Sequence, residues 1–71
     1  MDKFYFAAKI QQEHANIICE KAISIGVPEE NILLSRKACN FLQIGIYIKF
    51  SNADAYKEFN AWDIPGIIEK W

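Results

Sequence analysis

The chain reads as a small α+β domain of order β-α-β-β-α, with two helices on one face of a three-stranded antiparallel sheet. Three observations carry that expectation. Apolar and polar residues alternate over 3–10 and again, more strongly, over 41–50, the period of a strand with one wet face. Over 12–25 the apolar residues recur instead every three or four positions, as on a helix with one buried stripe. Charge follows the same division: Lys3, Lys9, Arg36, Lys37 and Lys49, five of the eight basic residues, fall within 3–10 and 31–50, and all nine carboxylates lie elsewhere.

The first strand places Phe4, Phe6, Ala8 and Ile10 on one side and Lys3, Tyr5, Ala7 and Lys9 on the other. In the first helix Ala15, Ile18, Cys19, Ala22 and Ile25 form the inner stripe, while Glu13, Glu20 and Lys21 fall largely off it. Gly26 supplies the left-handed residue that a helix end favours, and Pro28 blocks continuation. A polar turn at Glu29, Glu30 and Asn31 leads into a short second strand at 32–34, which loses apolar character at Ser35, Arg36 and Lys37. Ala38, Cys39 and Asn40 are the expected hairpin connection to the third strand, where Leu42, Ile44, Ile46, Ile48 and Phe50 face in. Phe41, Gln43, Gly45, Tyr47 and Lys49 of that strand face out.

Ser51 or Asn52 caps the second helix, and Ala55, Phe59 and Trp62 line its inner stripe. The tail from Asp63 to Trp71 has two readings: Pro65 and Gly66 can turn the chain into a short fourth strand, or Asp63 can cap a brief extra helix, which is preferred. Both helices need a face to cover and a crossover between parallel strands is right-handed, so the third strand is expected between the first and second. That is a ferredoxin-like fold lacking its last strand, or with a vestigial one.

Seventy-one residues make a single domain, 1–71, and an apolar content of 52% with several large aromatics can build its core without staples. Cys19 and Cys39 match neither a disulfide-dense secreted scaffold nor a Cys-x-x-Cys metal site and read as reduced structural thiols. The opening residues lack a secretory signal pattern. The longest uncharged run, 38–48, is 11 residues, against about 20 for a spanning helix. No membrane role and a cytoplasmic location are therefore expected. Neither a catalytic constellation nor a metal or cofactor site is expected: His14 has no base or nucleophile beside it, no serine sits in a nucleophile-elbow context, and no glycine-rich loop can cradle phosphate.

What remains is a surface. Lys3, Tyr5, Lys9, Lys37, Phe41, Gln43, Tyr47, Lys49 and Trp71 are the candidate partner-binding residues, aromatics for contact area and bases for orientation. Another protein is the preferred partner, bound through the open sheet face or an edge strand, as a small inhibitor or adaptor of the kind phages and mobile elements encode. Pairing of two copies into a homodimer is a related possibility. Trp71 could instead fold back onto Trp62 or the first helix, and the acidic helical side, with Glu13, Glu20, Asp54 and Glu58, could be the contact surface.

A different class of partner is single-stranded RNA or DNA, stacked on the outward tyrosines beside the lysines. Phe4-Tyr5-Phe6 resembles the first-strand signature of the RNA-recognition motif, and Tyr47-Ile48-Lys49-Phe50 resembles the end of its third-strand signature. The resemblance implies base stacking by Tyr5 and Tyr47 only. Gln43, Ile44 and Gly45 stand where that family places a base, a glycine and a second aromatic.

Overall fold

In the computed structural model, which describes residues 4–36 and 41–71, the chain forms four strands and two helices. These are β1 (Tyr5–Gln11), α1 (Ala15–Ser24), β2 (Ile32–Ser35), β3 (Gln43–Lys49), α2 (Ala53–Ala61) and β4 (Ile67–Lys70). Lys3, Lys37 and the expected hairpin residues Ala38, Cys39 and Asn40 lie outside the described residues.

The sheet is antiparallel throughout, in the order β2-β3-β1-β4. The expectation of three strands is thereby corrected: the order gains a fourth strand beside β1. The preference for a helical tail is corrected with it. Gly66 takes φ +75, and its carbonyl accepts the Gln11 amide at 2.8 Å, which delivers the tail to the open edge of β1. A four-residue segment gains more from that ladder than from one isolated helical turn, whose nucleation is unfavourable. Glu69 comes with it, so the sheet does not remain free of acids.

The ends of α1 follow from local chemistry. A single 3₁₀ turn, Gln12–His14, precedes it, and Gly26 ends it at φ +102. The Gly26 amide donates to Ile23 and the Val27 amide to Ala22, the paired bonds of a Schellman motif, with Val27 buried behind them. At the start of α2 the Asn52 side chain accepts from the Ala55 amide at 2.9 Å, a cap whose removal costs about 1 kcal/mol.

Both helices bury against the same face of the sheet. The core joins Phe6, Ala8 and Ile10 of β1 and Ile46 and Ile48 of β3 to Ala15, Ile18 and Ala22 of α1 and Ala55 and Phe59 of α2. Phe59 is fully buried at its centre, with ring centroids 5.3 Å from Phe6, 5.2 Å from Phe50 and 5.9 Å from Trp62. The Lys21 ammonium lies 5.5 Å from the Trp62 ring, closing the outer end of the cluster.

One inward assignment fails. Leu42 precedes β3 rather than joining it, takes φ 74 and is exposed, while its carbonyl accepts the Gln12 amide at 2.9 Å. Phe41, expected on the outer face of the third strand, sits in the same turn. The alternating pattern runs two residues past the point where the chain must turn.

Candidate binding face

Among the described residues no helix covers the other side of the sheet. Since Phe6, Ala8 and Ile10 face the core, Tyr5, Ala7 and Lys9 must face away, and the register sets Lys49, Tyr47 and Gly45 opposite them. β2 continues the surface, with Leu33 beside Tyr47 and Ser35 beside Gly45.

Tyr5 and Tyr47 are diagonal neighbours across the β1–β3 pair, and their rings stack at 5.2 Å with an interplanar angle of 18°. Both keep two-fifths of their surface in solvent, 43% and 39%. Such a pair contributes roughly 0.2–1 kcal/mol to the sheet, and the exposed part of both rings is available for contact. Leu33, 60% exposed, extends the apolar stripe to the β2 edge.

Trp71 completes the surface from an unexpected direction. Its backbone amide donates to the Ala7 carbonyl at 2.8 Å, continuing the β4 ladder by one residue. The indole then reaches across β1 to β3 and rests on Gly45, where an added Cβ would stand 2.8 Å from Cη2 and 3.1 Å from Cζ3. It packs on neither Trp62 nor α1. Gly45 is buried as a result, although it belongs to the open face. A glycine within a run of large strand residues often marks such a close approach, and that was the available signal. We expect Gly45→Ala to lift the indole from the sheet, shifting the Trp71 Nε1–H resonance while costing under about 1 kcal/mol, because only exposed packing is lost. An unmoved resonance would contradict the seating.

Of the nine candidate residues, the structure brings Tyr5, Lys9, Gln43, Tyr47, Lys49 and Trp71 onto this face. Phe41 stands apart, 84% exposed in the turn before β3. Lys3 and Lys37 lie outside the described residues. Ala7, Leu33 and Glu69 belong to the face without having been singled out.

The electrostatics differ from the uniformly cationic face that the sequence suggests. Glu69, opposite Lys9 in the β1–β4 register, approaches its ammonium at 3.9 Å. Arg36, exposed at the sheet end, donates to the Gln43 carbonyl at 3.2 Å and to the Gln12 side-chain oxygen. Lys49 remains exposed beside Tyr5. The face is therefore an aromatic and aliphatic stripe with modest positive charge at one side.

Elsewhere, Cys19 is a free thiol pushed up from its ordinary pKa by burial and, secondarily, by the charge of Glu20, which opposes thiolate formation. His14 packs its ring against Gly66, and the Glu13 carboxylate lies 4.0 Å from its Nδ1. Among the described residues no group of His, Cys, Asp and Glu side chains could hold a metal ion, and no helix is long and apolar enough to cross a membrane. No protein family, no curated protein and no solved structure matches this chain.

Proposed function

We propose that this domain is a non-enzymatic binding protein of the inhibitor or adaptor kind, which docks another protein on its uncovered sheet face. The observation that carries the reading is the continuous outward stripe of Trp71, Tyr5, Tyr47 and Leu33 on a face that neither helix covers. Tyr and Trp offer rigid contact area at low entropic cost and dominate the centres of protein interfaces. The fitting partner presents an apolar patch with acidic groups toward Lys49, which would set orientation and association rate. The β-α-β-β-α-β order further invites a ferredoxin-like reading with the last strand in place.

A pull-down with wild type and Tyr5→Ala/Tyr47→Ala tests this. The pair sits outside the core, so the variant keeps its fold, and its partner is expected to be lost through a weakening of about 30-fold or more, the scale of a truncated hot spot. A folded double variant that retains every partner would remove the face from consideration.

Single-stranded nucleic acid is the second reading, favoured by one observation: Trp71 places a third ring over Gly45, the position where an aromatic is otherwise missing. Against it, Glu69 offsets Lys9, and the pI near 5.7 gives little to release counterions. Anisotropy titration with labelled single-stranded RNA and DNA at two salt concentrations separates the readings, since a phosphate-based mode weakens steeply with salt.

A further inference from the structure

The two edges of the sheet are built differently. β4 carries Glu69 and Lys70, and its register with β1 shifts between Lys9 and Ile10, two devices that discourage a further strand from adding. β2 has neither. Its sequence is Ile-Leu-Leu-Ser, with no charge, no proline and no bulge in its pairing to β3, and no strand flanks its outer side among the described residues. Leu33 on the open face is 60% exposed and Leu34 on the helical face 48%. Both ends are pinned: the Asn31 side chain donates through Nδ2 to the Lys49 carbonyl at 3.1 Å, and Arg36 is tied to Gln43 and Gln12. The edge is thus unbulged, apolar and held in place.

We propose that β2 is a homodimerisation edge, pairing antiparallel with β2 of a second copy about a two-fold axis through Leu33. The choice of a second copy rests on charge. The strand begins after Glu29 and Glu30 and ends at Arg36, so it is negative at one end and positive at the other. Antiparallel self-pairing sets each negative end against the positive end of the twin. A two-fold axis perpendicular to the sheet keeps each residue on its face, which requires the register to centre on a residue rather than between two. Centred on Leu33, Ile32 opposes Leu34 of the twin, covering an exposed leucine on the helical side, and the Glu29–Glu30 turn comes toward the Arg36 end of the twin, an attraction between strand ends rather than an ion pair because the guanidinium stays on Gln43 and Gln12. Centred on Leu34, Arg36 falls opposite Ile32 and the charge match is lost.

The result is a continuous eight-stranded sheet in which the two aromatic stripes meet at Leu33 and its twin. A pairing of four residues per copy buries less than the roughly 1,200–2,000 Å² of a stable interface, so the dimer is reversible. This inference concerns the edge and does not depend on what the open face binds.

Sedimentation equilibrium tests it. Wild type is expected to move from the 8.2 kDa of one chain toward twice that mass as concentration rises. Leu34→Lys, on an exposed side chain away from the open face, is expected to weaken association by roughly tenfold or more with the circular dichroism unchanged. Glu30→Lys and Arg36→Glu place like charges at both ends of the homodimer and should each weaken it, whereas mixing the two single variants restores opposite charges and association. Tyr5→Ala/Tyr47→Ala leaves self-association intact. The inference is overturned by a wild type that stays at one chain's mass up to about 1 mM. It is equally overturned by a dimer that survives Leu34→Lys, by mixed charge variants that associate no better than either alone, or by a dimer lost on Tyr5→Ala/Tyr47→Ala, which would place the contact on the face. Should Leu34→Lys unfold, the charge-variant mixing decides alone.

Discussion

Phe59→Ala is expected to abolish the cooperative fold. The ring is fully buried where α2 meets the sheet, and it packs against Phe6, Phe50 and Trp62 together. Removing a buried phenyl ring costs about 3–5 kcal/mol from lost transfer and the cavity left behind. A domain of 71 residues has a total stability of roughly 4–11 kcal/mol, so the loss takes a large share of it. The neighbours cannot collapse into the space easily, because Phe6 and Phe50 are fixed to the sheet by their own strands. Urea titration followed by circular dichroism should show the wild-type transition replaced by a broad one or by none, and Phe59→Leu should recover more than half of the loss. A Phe59→Ala variant that melts within about 1 kcal/mol of wild type would mean that the aromatic cluster does not organise the core.

Gly66→Val is expected to detach β4 and leave the rest of the sheet standing. The residue holds φ +75, a conformation that costs an L side chain roughly 1–2 kcal/mol, and more when Cβ is branched. Space is lacking as well: an added Cβ would meet His14 at 2.5 Å from Nδ1, 2.8 Å from Cγ and 3.0 Å from Cβ. His14 is itself held at the start of α1, so the turn must yield. With the turn go the Gln11–Gly66 bond, the β4 ladder and the seat of Trp71 on Gly45. The Phe59 cluster lies on the opposite face, and β4 adds to it the partly buried Ile67 and the Lys70 ammonium, 5.9 Å from the Phe6 ring. Hydrogen exchange should therefore speed up at 67–71 while amides of β3 and α1 keep their protection, and the Trp71 indole should move to a solvent-exposed shift. Uniform loss of protection would make β4 part of the cooperative core instead, and an unchanged pattern would show that the turn tolerates the side chain.

The two variants report on parts of the chain that differ in how they declare themselves. The elements around Phe59 are written locally. Alternation marked β1 and β3 because each buries one face; the three-to-four spacing of Ala15, Ile18 and Ala22 marked α1; and Gly26 with Val27, and Asn52 with the Ala55 amide, set helix ends through bonds between residues close in sequence. The open face was legible for the same reason, since once Phe6 and Ile48 point inward, Tyr5 and Tyr47 have nowhere else to go.

The misread parts depend on partners distant along the chain. Leu42 continues an inward pattern, yet the connection from β2 turns there and exposes it. The tail carries too few residues to show either period, and it becomes a strand because β1 offers an unpaired edge to residues far along the chain, as Lys9 faces Glu69. That pairing also changed the face, setting a carboxylate beside Lys9 and an indole over Gly45. Periodicity and capping are properties of neighbouring residues, so the amino-acid order settled the elements up to α2 and which tyrosines point to solvent. Edge pairing draws its free energy from hydrogen bonds and contacts that exist only after the sheet has assembled, so the fourth strand, the position of Trp71 and the charge balance of the surface were decided in three dimensions.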